Sequence, residues 1–508
     1  MASSLQRIRG FLWFGQPSAE EQRVATIREL LGNIGGRSPQ DTIGQLAGSV
    51  LPAIGRQRDV QQRFQLLEDT RNEAELALPA LERIVAHATL PLPPEAASAG
   101  LLADNLLKGF AVAYTGIAYA LHDGRRGSGL SLLYHRSIQR AMAMVARRQL
   151  LAYRAYAAPS TTSWQTLHEL YRMVRGSQAA PLNGETAPIE HEYLGALLFA
   201  YLDPSKLPRT ELESINLCSR QLAAYAVVGD ITTAGKAGPT TEACFLVHPE
   251  EGGPGYPLLR LPAGKSIFGS ILIDCTQVLA ALDRNLMRRP GKAIEPDLDA
   301  PPALLHILRV AISGKSTRRF NRSSFRPRGD LFVGLASVTG FIDGYALSRR
   351  AIDAAGQPPG RGFASSEWAL MDESAEGFRL RFLRGDKSNL VAGDIVALQP
   401  RESSKIHICL LRRITSSRIR LEIGLQVLSP QACVAGIICQ GTPAQRGIFL
   451  QSLPAYGKFS GLIAPPGIYR TGQPVMISLA GRSLHRQIGT CLETSEAIEF
   501  FALDQLPG

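Results

Sequence analysis

Two short stretches of the 508-residue chain carry side chains whose types and spacing can do chemistry. The first is Ser316-Thr317-Arg318-Arg319-Phe320-Asn321-Arg322, in which Arg318 and Arg322 stand at RxxxR spacing with Arg319 between them. It lies within Arg309 to Arg328, a run rich in Lys and Arg and free of Asp and Glu. Guanidinium groups gathered in this way bind phosphate or carboxylate oxygens through paired N–H donors. The second stretch is Asp372-Glu373-Ser374-Ala375-Glu376-Gly377. Its carboxylate accepts hydrogen bonds, its hydroxyl donates or accepts, and its glycine lets another group approach the backbone closely. Each stretch also has a plain reading: a solvated basic loop, and a side-chain-capped turn between strands.

The elements that must position these residues change character at the arginines. From Glu20 to His87 the pattern is helical, with Arg56–Ala88 expected as two helices separated near Thr70-Arg71-Asn72 and Asn72 as an N-cap. Leu90-Pro91-Leu92-Pro93-Pro94 stops the helix, because proline lacks a donor and restricts its neighbour. Ala97–Tyr156 gives two long helices parted by His122–Gly127, and the pairs that follow have the recurring Trp, Leu, Tyr and Ala of a tetratricopeptide-like array, without a strict period. Ala243–His248 is expected as a strand, and Ile271–Asn285 and Pro302–Ser313 as helices.

After the arginines the pattern is β. Gly377–Leu383, Asp394–Leu398, Ile406–Ile414 and Arg418–Leu428 are short strands at the spacing of a small antiparallel barrel, and Leu335–Ala355 is a helix candidate between the motifs. Further strands, from Val434–Cys439 to Ile498–Leu503, extend that barrel or form a second one. The chain thus divides into a helical segment 1–94, a helical bundle or solenoid 95–230, a mixed α/β connector 231–314, a barrel 315–430 and a β-rich region 431–508.

Composition narrows the function classes. The net charge of +11 favours anionic partners without naming one. Seven scattered cysteines without a CxxC pair argue against disulfides and zinc and for a reducing, cytoplasmic setting. Leu101–Leu121 carries Asp104, Asn105 and Lys108, which argues against a membrane span. Gly264-Lys265-Ser266 and Gly314-Lys315-Ser316 end like phosphate-binding loops, but Leu259 and Arg309 stand where the first glycine is required. His191-Glu192 lacks a second histidine, and no nucleophile elbow or paired carboxylates stand out. No catalytic residues, metal or cofactor are expected, and the chain is read as a non-enzyme.

The ordered pair of motifs leading into a barrel pattern resembles the PilZ domain, a bacterial receptor module for cyclic di-GMP. Val391-Ala392-Gly393-Asp394-Ile395-Val396 and the strand Arg420–Leu428 extend the similarity, which covers about a quarter of the chain. The resemblance implies cyclic di-GMP as ligand, with Arg318, Arg319 and Arg322 on its phosphates and guanine edges. It also implies Asp372 and Ser374 as hydrogen-bonding partners of guanine and Gly377 as a place of close approach. The implied function is an effector whose arginine segment closes over the ligand and changes domain packing. The helical half would then act on a protein partner in motility, pili, secretion or surface growth. The connection between the two motifs is longer than the family's, which leaves open a ligand-free scaffold. Nucleic-acid binding by the basic loop is the other alternative, and the lack of a row of exposed aromatics on the barrel counts against it.

Overall fold

The computed structural model describes residues 19–122, 128–175, 187–230, 242–261, 267, 269–288, 295–314, 327–344, 365–374, 376–385, 390–401, 405–417, 420–429, 432–439, 442–452, 460–479 and 481–505. Among these residues, nine α-helices come first: α1 (Ala19–Gly32), α2 (Pro39–Gln45), α3 (Leu51–Gly55), α4 (Val60–His87), α5 (Pro94–His122), α6 (Ser128–Arg154), α7 (Thr161–Arg175), α8 (Ala187–Tyr201) and α9 (Leu212–Leu222). Helix α5 packs against both α4 and α6. It buries Ala99, Ala103, Leu106, Phe110, Tyr114 and Ile117, an i, i+3/i+4 stripe whose small early members let the neighbours come close. Arg147 reaches from α6 to Glu75 and Glu82 of α4, and Arg140 to Glu68. The helices differ widely in length and form a bundle.

Helix α4 is one helix where two were expected. Asp59 caps its start by accepting from the Gln62 N–H at 2.8 Å. Thr70, which looked like part of a break, is fully buried and donates its hydroxyl to the Leu66 carbonyl one turn back at 2.6 Å. A threonine satisfied in this way does not compete with the helix.

The connector is a four-stranded sheet in the order β1-β4-β2-β3, built from β1 (Val227–Asp230), β2 (Cys244–Val247), β3 (Tyr256–Pro257) and β4 (Ile271–Asp274). Two helices, Thr276–Leu286 and Pro302–Ile312, accompany it. Phe245, Ile273, Leu304 and Leu308 join the same apolar cluster as the helical half, so the two share a core. Ile271–Asp274, expected as helix, is a strand, because Ile271-Leu272-Ile273 is buried in the middle of the sheet.

Two closed six-stranded antiparallel barrels follow. The first comprises β5 (Arg328–Val333), β6 (Ser366–Ser374), β7 (Gly377–Gly385), β8 (Ile395–Pro400), β9 (His407–Ser416) and β10 (Leu421–Ser429), in the cyclic order β10-β7-β6-β5-β8-β9. The second comprises β11 (Ala432–Cys439), β12 (Thr442–Leu450), β13 (Gly461–Ala464), β14 (Pro474–Leu479), β15 (Arg482–Thr494) and β16 (Glu499–Asp504), in the order β11-β12-β13-β16-β15-β14. The barrel and the second β-rich region were legible; strands β5, β6 and β13 were not. Strand β5 opens with Arg328-Gly329-Asp330, and β6 contains two Glu, an Ala and an Asp, residues depleted in strands.

Two interfaces hold the first barrel. Leu90 from the α4–α5 linker and Tyr156 just after α6 are both buried and belong to the same apolar cluster as the barrel core residues Leu331, Trp368, Leu398 and Leu411. On the outside, Phe332, Ile395, Ala397, Ile408 and Leu410 meet Ile448, Leu450, Ile463 and Ile498 of the second barrel region in a separate apolar cluster. Residues 335–344, the first part of the expected 335–355 helix, are helical and wedge Val338 and Phe341 into that seam.

Candidate ligand-binding site

Asp372, Ser374 and Gly377 come together on one hairpin. Strand β6 ends at Ser374 and β7 starts at Gly377, and the two residues face each other across the turn. A register shift between Leu370 and Asp372 leaves Met371 as an extra residue on β6. Such a bulge re-aims the side chains beyond it. Trp368 and Leu370 point into the barrel, and without the bulge Asp372 would follow them inward. Instead it sits opposite Arg379. Cross-strand partners share a face, so Asp372 lies with the half-exposed Arg379 outside the barrel.

The rest of the hairpin is pinned. Glu422 of β10 accepts from Arg379 at 2.6 Å and from Arg381 at 2.9 Å. The Glu376 carbonyl accepts the Val427 N–H at 2.8 Å. The Ser374 hydroxyl donates to the Gly377 carbonyl at 3.3 Å, which is the turn-closing role weighed as the plain alternative for this residue. Gly377 is buried, and a Cβ there would run into the Leu425 carbonyl of β10. Its lack of a side chain is therefore required by the barrel itself, independent of any ligand.

Arg318, Arg319 and Arg322 lie outside the described residues, but both flanks of their segment are placed. Before it, Gly314 (φ +69°) ends the Pro302–Ile312 helix against Pro257. After it, the Pro327 carbonyl accepts the Leu370 N–H at 2.9 Å, and Arg328 opens β5 opposite Ala369. Because β5 and β6 are antiparallel, the chain reaching Arg328 arrives from the Asp372–Ser374 end of β6. Asp372 stands two residues beyond Leu370, about 7 Å along the strand. Arg322 is five residues before Pro327, so at ~3.5 Å per residue it lies within about 18 Å of that anchor. Arginines and acceptors can therefore meet at one edge of the barrel.

Sequence reasoning missed the second contact of this barrel with chemical consequence. Tyr156 has a left-handed backbone (φ 51°), donates its hydroxyl to the Leu207 carbonyl at 2.9 Å and lies under the Arg209 guanidinium at 5.0 Å. Arg209 Nη1 also donates to the Ala86 and Ala88 carbonyls at the end of α4, at 3.2 and 2.6 Å. The Ser416 N–H of β9 donates to the Tyr156 carbonyl at 2.8 Å. Beside it, a cavity of about 280 Å³ is lined by Tyr153, Trp164, Asp203 and Arg413. Burial, with the neighbouring Glu496 adding to it, pushes the Asp394 carboxyl up to about 6, against the Val391 N–H that it accepts. The sequence signal for this junction was Leu90-Pro91-Leu92, an apolar linker that a solvent-exposed loop has no use for.

Residues 25–232 match the family model described as the N-terminal domain of the cyclic-di-GMP receptor FimW. The match covers the helical half and β1 and does not reach the barrels. No curated protein and no solved structure matches the chain. Among the described residues, no helix is long and apolar enough to cross a membrane, and no group of His, Cys, Asp and Glu is arranged to hold a metal ion.

Proposed function

We propose that the chain is a cyclic di-GMP effector without catalytic activity, and that its ligand is held at the β6–β7 edge of the first barrel in a PilZ-like manner. The observation that carries this reading is the anchoring of Pro327, five residues after Arg322 in the chain, on Leu370 of the strand that presents Asp372. The match of the helical half to a domain of a cyclic-di-GMP receptor supports the identity of the ligand, though not its place on the barrel.

Each side chain has a role in this account. Arg318 and Arg322 grip phosphate oxygens or the O6/N7 edge of guanine as planar forks, with Arg319 assisting. Asp372 accepts from guanine N1–H and N2–H₂. Ser374 fixes the turn that holds Asp372 in place, and Gly377 lets the turn close against β10. Closing of the arginine segment pulls on the Pro302–Ile312 helix, whose Leu304 and Leu308 belong to the helical core. A cytoplasmic protein partner reads the change on the helical half, where Leu76 and Val112 are strongly exposed apolar residues. The ligand moves that equilibrium only by its difference in affinity for the two packings.

Calorimetric titration tests the proposal. Cyclic di-GMP should bind saturably, and Arg318→Ala or Asp372→Ala should weaken it roughly tenfold or more, as expected on losing a charged hydrogen-bond partner. Binding should persist in moderate salt, unlike the steep salt loss of nonspecific nucleic-acid contacts. A folded wild-type chain that gives no heat at high micromolar ligand would overturn the proposal.

A further inference from the structure

The two barrels have the same topology. Numbering the strands of each from first to sixth, the first barrel pairs first with second, second with third, third with sixth, sixth with fifth, fifth with fourth and fourth with first. The second barrel makes the same six pairings, all antiparallel. Two of these pairings, third with sixth and fourth with first, are absent from a simple up-and-down meander, and two unrelated barrels have little reason to share them. A local detail repeats as well. The third strand starts with a glycine in both, Gly377 and Gly461, and each faces the sixth strand where a side chain cannot fit: Gly377 meets the Leu425 carbonyl, and a Cβ on Gly461 would lie 2.5 Å from the Phe500 ring.

What does not repeat is the chemistry. An arginine segment precedes the first barrel, whereas β10 ends at Ser429 and β11 begins at Ala432, so two residues connect the barrels. From Pro430 to Ser460, the stretch equivalent to the first barrel's clasp and hairpin, there is no Asp or Glu and one arginine, Arg446. That arginine is paired with Asp343 of the 335–344 helix.

The packing of the pair is also lopsided. Strands β8 and β9 are buried on both faces: Val396, Leu398, Cys409 and Leu411 point into their own barrel, and Ile395, Ala397, Ile408 and Leu410 point at the second. The bidentate pair Arg412–Glu493 ties the two at 2.6 and 2.8 Å. We infer that the second barrel is a repeat of the first that takes no cyclic di-GMP and serves as its permanent intramolecular partner, so that ligand occupies one barrel per chain. This rests on the proposed ligand site for its first half and on the packing alone for its second.

The test uses the full chain throughout. In calorimetry, Arg318→Ala/Arg322→Ala should abolish all cyclic di-GMP binding by a folded protein. Saturable binding that survives in this variant, with amide exchange protected between residues 432 and 504, would overturn the inference while leaving a receptor in place. Absence of binding by the wild type would instead sink the proposed site. The partnership is read without ligand, from Ile448→Ala, which opens a cavity in the seam outside the second barrel's own core. Amide exchange in β8 and β9 of the first barrel should speed up roughly tenfold or more. Unchanged exchange there would show that the barrels do not support each other.

Discussion

Gly377 has no room for a side chain, because the Leu425 carbonyl occupies the place of its Cβ. Gly377→Ala should therefore cost ~1–3 kcal/mol by overpacking, visible as a lower melting temperature with or without ligand. Asp372→Ala differs in kind: the bulge at Met371 has put this carboxylate outside the barrel, so melting should change little while binding weakens. The residues of DxSxxG were legible because their spacing is local. Their division of labour was not, since the bulge, the Ser374 turn bond and the β10 neighbour all depend on strand pairing. In the sequence Asp394 stands out only as the start of a strand and a member of the Val391–Val396 run, yet its carboxyl is raised from 3.8 to about 6. A carboxyl raised in the folded state favours the protonated form, so its contribution weakens the fold as pH climbs from 3.8 through about 6. Asp394→Asn should raise thermal stability at roughly pH 7.5 and leave it unchanged at roughly pH 3.5. Equal stabilities at the higher pH would mean that the buried charge is not a burden.

Elements legible in the sequence were those with strong local signals. Helix α5 has an unbroken apolar stripe, and β7 alternates as Phe378-Arg379-Leu380-Arg381-Phe382. The errors came where tertiary contacts overrule such signals. Thr70 back-bonds inside α4, and Ile271–Asp274 becomes a central strand. The continuous apolar run Ile395-Val396-Ala397-Leu398, read only as a strand, is buried throughout because β8 is covered on both faces, whereas a strand with one wet face alternates. The element that joins the halves is the end of α6. Tyr156 joins the first barrel's apolar cluster from the helical side and carries the bonds to Leu207 and Ser416. Tyr156→Ala should cost ~3–5 kcal/mol in chemical denaturation and destabilise bundle and barrel together. If only one of them melts earlier, the junction is not the coupling element.

The whole molecule sets the first barrel between two neighbours of different character. The second barrel seals its β8–β9 face through an apolar seam, while the helical half joins its apolar cluster through two side chains and an arginine-capped helix end. A signal made at the β6–β7 edge therefore has its freer outlet toward the helical half, the part that matches the receptor-domain family. That a helical half precedes β-rich barrels was legible from the change of periodicity, but the repeat was not, because the barrels share a pairing pattern rather than residues. The most direct test of the account is amide hydrogen exchange across the full chain, with and without saturating cyclic di-GMP. Protection should concentrate at Arg318–Arg322 and the Asp372–Arg379 hairpin, with weaker changes at the end of α6. Protection confined to residues 25–232, with the hairpin unchanged, would place the ligand in the helical half and contradict the account.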